Sequence, residues 1–131
     1  MKNNQLMIYG AYGYAGELMV REAVAQGLRP IIAGRDDEKL KPIATELSLE
    51  CRAFGVRNTG SNLQDISVLL NCAGPFSATA EPLARACLAQ QIHYLDITGE
   101  IDIFRKCHAL DEEARQQNVL ILPGAGTDIV P

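Results

Sequence analysis

One short segment limits what this chain can become. Gly10-Ala11-Tyr12-Gly13-Tyr14-Ala15-Gly16 follows directly on the apolar run Leu6-Met7-Ile8-Tyr9. It leads into a stretch whose Ala15, Leu18, Met19, Ala23 and Val24 fall close to one helical face. Strand, glycine turn and helix in immediate succession open a dinucleotide-binding βαβ unit. The glycines permit a tight turn, let the backbone approach a pyrophosphate and allow the helix to pack closely. The first helical turn then offers unpaired N–H donors to an anion.

The same alternation continues along the 131 residues. Apolar runs at Pro30–Ala33, Cys51–Phe54, Val68–Ala73, His93–Ile97 and Val119–Leu122 predict five further strands. Asp36 is placed to cap a helix carrying Leu40, Ile43, Ala44 and Leu47, which Pro42 should kink or delay. The turn-rich Asn58–Asn62 leaves room for only a turn or two of helix. Ala80, Leu83, Ala84, Cys87 and Leu88 mark another helix, in which Pro82 is tolerable only within the first turn. A single helix bearing Ile103, Phe104, Cys107, Leu110 and Ala114 is expected before the last strand. The predicted architecture is an α/β three-layer Rossmann fold: a doubly wound parallel sheet of six strands, order 3-2-1-4-5-6, with helices on both faces.

In such folds the end of the second strand discriminates between the nicotinamide cofactors. Here it reads Gly34-Arg35-Asp36. A guanidinium suits a 2′-phosphate by charge and by its fork of donors, so Arg35 favours NADP. One of Asp36 and Asp37 could instead reach a ribose diol, which keeps NAD open. Asn71-Cys72-Ala73-Gly74-Pro75-Phe76 stands at the carboxyl end of the fourth strand, beside the point where strand order should reverse. Gly74 would let the chain pass near a cofactor and Phe76 could wall it, although an ordinary strand-to-helix turn reads the same way. Asp96 and Glu100 offer carboxylates after the fifth strand, but capping by Thr98 with acidic residues in the first turn accounts for much of that pattern. His93 and His108 lack partners at metal-ligand spacing and read as structural or surface residues.

Composition removes other classes. With 47% hydrophobic and 21% charged residues the chain can bury a core, so disorder is not expected. No apolar run approaches the roughly 20 residues that span a bilayer. Twelve Lys+Arg against sixteen Asp+Glu, net -4 and without a basic block, exclude a nucleic-acid footprint. The polar Met1–Gln5 and an apolar segment broken at Gly10 do not make a secretory leader, so the expected location is cytoplasmic. Cys51, Cys72, Cys87 and Cys107 are too widely spaced for a CxxC pair and read as reduced structural thiols. No tyrosine is followed four residues on by lysine, and Walker A, G-x-S-x-G and H-E-x-x-H segments are absent. Short-chain dehydrogenase proton relay, phosphoryl transfer, serine hydrolysis and zinc proteolysis drop out.

Taken together, the glycine run, Ala33-Gly34-Arg35, Asn71–Phe76, Tyr94–Glu100 and the closing Pro123–Pro131 resemble the N-terminal NADP-binding domain of the saccharopine dehydrogenase-like oxidoreductases. The likeness leans toward the branch that includes the trans-acting enoyl reductases, and covers essentially the whole chain. Thr127 stands where relatives often carry Phe. The resemblance implies that Gly10, Tyr12, Gly13, Tyr14 and Gly16 hold the pyrophosphate, Arg35 the 2′-phosphate, and Ala73, Gly74, Pro75 and Phe76 the nicotinamide side. Family members continue into a second α+β domain that shapes the substrate site and contributes to dimerisation. Residues 1–131 are therefore expected to be the NAD(P)-binding part of a longer two-domain protein. That protein would move hydride between NADPH and a small-molecule substrate and form a homodimer. The alternative is a non-catalytic dinucleotide-sensing or interaction module. No residue combines a chemical reason with a position that would make it catalytic.

Overall fold

The structure, a computed structural model, describes residues 5–98 and 101–124, apart from the side chains of 101–104. Its elements are β1 (Leu6–Tyr9), α1 (Tyr14–Ala25), β2 (Ile31–Gly34), α2 (Asp37–Leu47), β3 (Cys51–Ala53), a 3-10 turn (Gly60–Leu63) and β4 (Val68–Asn71). They continue with α3 (Phe76–Ala89), β5 (His93–Asp96), α4 (Ile101–His108), α5 (Asp111–Gln116) and β6 (Ile121–Leu122). The six strands form one parallel sheet in the order β3-β2-β1-β4-β5-β6, as the alternation predicts.

Side chains alternate across a strand, so each face of the sheet needs its own cover. Met7 and Tyr9 of β1 join Leu69, Leu83, Cys87 and Leu110 in one core beneath α3, α4 and α5. Ile8 joins Ile32, Leu70, Val20 and Leu40 in a second core beneath α1 and α2. Every residue of β2 is buried, which is why Ile31-Ile32-Ala33 has no polar alternation. None of the four cysteines forms a disulfide among the described residues, and Cys72, Cys87 and Cys107 are buried.

Four local expectations are corrected. Pro82 lies in the second turn of α3, which starts at Phe76. The turn ahead of it is tied down by Thr79, whose hydroxyl donates to Ala73 O at 2.7 Å and accepts from Asn71 Nδ2 at 3.1 Å. Helix α2 is not delayed by Pro42: Asp36 starts it, its carboxylate accepting from Glu38 N at 3.0 Å. The predicted single helix before β6 is two, because Leu110 N turns back to Cys107 O at 3.0 Å, a tight three-residue closure. Finally, β4 and β6 are shorter than their apolar runs. The Asn71 side chain takes the amide of Ala73 at 2.9 Å, and His93 Nδ1 takes that of Leu120 at 2.9 Å, so side chains replace ladder partners.

Candidate cofactor cleft

Strand order reverses between β1 and β4, and a cavity of about 450 Å³ opens at their carboxyl ends. This is where open α/β sheets bind ligands. Its floor is Gly10. With φ +83°, Gly10 bends the chain off β1, and a Cβ there would lie 2.7 Å from Ala73 N and 2.8 Å from Ala73 Cα. No other residue allows β1 and β4 to end so close together. Gly16 lies behind the cavity, where a Cβ would collide with the Gly10 carbonyl and sit 3.0 Å from Ala11 Cα, so it sets the close seating of α1. Gly13 differs. It N-caps α1, and its missing side chain would meet only Gly10 O, at 3.5 Å, so it keeps the mouth over the first turn of α1 open.

Of the residues assigned to a cofactor by sequence, Gly10, Tyr12, Gly13, Arg35, Ala73, Gly74 and Pro75 line this one cavity. Tyr14 starts α1 with its side chain in solvent, 86% exposed, and does not line the cavity. Phe76 packs against the core beneath α3 and does not line the cavity. Glu100 and residues 125–131, which carry the closing motif, lie outside the described residues.

Tyr12 builds the wall toward β2. Its ring covers Gly34, whose Cβ would lie 2.5 Å from Tyr12 Cε2, and its hydroxyl accepts from Asp36 N at 3.1 Å. The Lys39 ammonium stands 5.6 Å from the ring centroid. Asp36 caps α2, and Asp37 pairs with Lys41 at 3.2 Å. Neither carboxylate lines the cavity.

Tyr9 and Cys72 also line the cleft. Burial pushes the Tyr9 phenol up to about 12, with Tyr12 adding to the rise and Arg35 opposing it. Its hydroxyl donates to Phe54 O at 2.6 Å, and the two rings meet edge to face at 5.0 Å. Burial, reinforced by the charge of Asp96, pushes the Cys72 thiol up to about 12. Both groups are therefore protonated at neutral pH and serve as wall, not as nucleophile or base.

Beneath the Ala73 turn runs a buried polar chain. Asn71 Nδ2 donates to Thr79 Oγ1 and, at 3.2 Å, to Tyr94 Oη. Tyr94 donates to Asp96 Oδ2 at 2.6 Å. Asp96 Oδ1 accepts from Thr98 N at 3.1 Å and Gly124 N at 2.8 Å. Asp96 is fully buried and away from the cavity, so its carboxylate joins the ends of β4, β5 and β6 and does not meet a ligand. His93 is structural through Leu120 N, and His108 is exposed. Among the described residues no His, Cys, Asp or Glu cluster could hold a metal, and no helix is long and apolar enough to cross a membrane.

Pattern reading missed the far wall: Gly55, Val56, Arg57 and Asn58 after β3, and Thr79 on α3. The available signal was topological, since β3 lies beside β2 and its loop must open at the same edge. Arg35 and Arg57 are the charged residues of a lining that holds no carboxylate, in a chain whose net charge is -4.

A family model described as "Saccharopine dehydrogenase NADP binding domain" matches residues 6–122. A rat saccharopine dehydrogenase-like oxidoreductase is 27% identical over 150 residues, covering 97% of this chain and 35% of that protein. A Mycobacterium tuberculosis protein, named provisionally as a trans-acting enoyl reductase, is 27% identical over 143 residues, covering 96% and 33%. The chain thus spans about a third of the length of these relatives. Apo saccharopine dehydrogenase (L-Glu forming) from Saccharomyces cerevisiae superposes with a TM-score of 0.79 at 12% identity, over 96% of this chain and 28% of that one. GenD2 from gentamicin A biosynthesis, solved with NAD, superposes with a TM-score of 0.68 at 17% identity, over 95% and 35%. At these identities the superpositions show the shared fold.

Proposed function

This chain belongs to the saccharopine dehydrogenase NADP-binding domain family, and on that premise we propose that the cleft between β1 and β4 holds NADPH for an oxidoreductase. The pyrophosphate lies over Gly10 and Gly13 at the first turn of α1, with the adenosine toward Arg35 and the nicotinamide toward Ala73, Gly74 and Pro75. One observation carries the reading: the cavity at the switch point is lined by cations and by no carboxylate, while the two acids beside Arg35 are engaged elsewhere. A 2′-phosphate fits that lining, and a ribose diol seeking an acidic acceptor finds none.

When bound, the nicotinamide supplies the hydride, and the protein supplies position and exclusion of water. Gly10 and Gly13 bring the backbone against the diphosphate. The Asn71 and Thr79 hydrogen bonds fix the Ala73 turn, so the reactive end meets a rigid wall. We assign the small-molecule substrate site, and the homodimer contact, to a second domain of the kind that relatives about three times as long have room for. A cytoplasmic setting belongs to the same proposal and is supported by the buried thiols of Cys72 and Cys107.

Isothermal titration of the protein with NADPH and NADH tests the reading. Tighter binding of NADPH is expected, with Arg35→Ala removing most of the preference. Binding of neither nucleotide overturns the proposal, and equal affinity for both overturns the role of Arg35.

A further inference from the structure

We propose that Arg57 is the second arm of a two-guanidinium site for the 2′-phosphate of NADPH, and that it helps set the preference over NADH. The inference rests on the cofactor reading above and adds to it a residue from a different strand. Backbone geometry makes the pairing. In the parallel register Gly34 lies opposite Ala53, and Phe54 N donates to Gly34 O at 2.9 Å, so the chain leaves β3 pinned to the residue before Arg35. It then closes at once into a turn, with Asn58 N on Gly55 O at 2.9 Å, and this turn carries Arg57. Tyr9 braces the same place from β1 through its hydroxyl on Phe54 O, and the charge of Arg35 reaches that hydroxyl.

Five of the six remaining arginines are engaged elsewhere. Arg21, Arg52, Arg85 and Arg115 each pair with a carboxylate, and Arg29 is occupied by the carbonyls of Leu47 and Ser48. Among the described residues Arg35, Arg57 and Arg105 have neither an ion pair nor a side-chain hydrogen bond, and of these Arg35 and Arg57 line one cavity while Arg105 lies on α4, outside it. Two guanidinium groups at the rim of one cavity suit a dianion, which would gain charge-assisted hydrogen bonds from both. A lone ribose hydroxyl gives no such gain. Because Arg57 is exposed and holds no other element, its replacement leaves the fold intact.

The test is calorimetric titration of the full-length protein with NADPH and with NADH, for the wild type, Arg57→Gln, Arg57→Lys and Arg35→Ala, with thermal melts of each free protein. Arg57→Gln is expected to weaken NADPH by about tenfold or more. NADH should change by less than about twofold and the melting temperature should stay the same. Arg57→Lys should recover part of the loss, and NADPH binding by Arg57→Gln should fall less steeply with added salt. Unchanged NADPH affinity, or equal losses for both nucleotides, overturns the inference while leaving the cofactor reading in place. A wild type that binds neither nucleotide overturns both, and so separates the two failures.

Discussion

Tyr94 and Asp96 stand two residues apart on the same face of β5, and the phenol donates to the buried carboxylate at 2.6 Å. Burial, reinforced by the charge of Asp96, holds the phenol well above its ordinary range, so this donor does not ionise. Tyr94→Phe keeps the ring in its core but strips one partner from Asp96 and one from Asn71. We expect a loss of about 1–3 kcal/mol in urea unfolding with the fold retained. A loss indistinguishable from zero would mean that the network is not held by this link.

Two glycines of one motif should respond differently to the same change. Gly16→Ala drives a methyl into the Gly10 carbonyl, a backbone neighbour that cannot swing aside. Destabilisation of about 1–3 kcal/mol or more is expected, together with loss of NADPH binding. Gly13→Ala meets only ordinary contact inside the protein, so its melting temperature should hold while NADPH affinity falls. Parallel melts and titrations check both, and a Gly13→Ala protein that binds normally would place the diphosphate elsewhere.

Asp36 lies beside Arg35 in sequence yet works for α2. Asp36→Ala should cost about 1 kcal/mol through loss of the N-cap and leave the ratio of NADPH to NADH affinity unchanged. A selective drop in NADH binding would return Asp36 to the ribose.

Alkaline stability should report the buried thiols. Burial raises Cys72 to about 12 and Cys107 to about 11, against an ordinary value of 9.0. Below the unfolded value both states hold the protons and the full stability is present. Above it the unfolded chain releases protons that the folded one keeps, so stability falls as pH rises toward the folded values. Urea midpoints in reductant should therefore decline from about pH 9 upward, toward the folded values of about 11 and 12, and Cys72→Ala should flatten that decline.

The strand alternation made the sheet order legible, because a parallel strand buried on both faces has no polar period to confuse it. The glycine turn was legible for a related reason: a backbone that bends off β1 and seats α1 closely restricts residue type at Gly10 and Gly16. Arg57 was not, since it lies 22 positions beyond Arg35 and shares its cavity only through the pairing of β2 with β3. Phe76, expected from its position after the Gly74-Pro75 turn to wall a ligand, packs partly buried against the core beneath α3. Pro82 misled because propensity says nothing of the Thr79 and Asn71 bonds that hold the turn before it.

The ring of Tyr12 rests where Gly34 has no side chain, and a methyl there would come within 2.5 Å of it. Positions 12 and 34 are therefore sterically coupled. A side chain at 34 would displace the ring at 12, and with it the hydroxyl that receives the Asp36 amide at the start of α2. Across diverging relatives these two positions should change together or not at all.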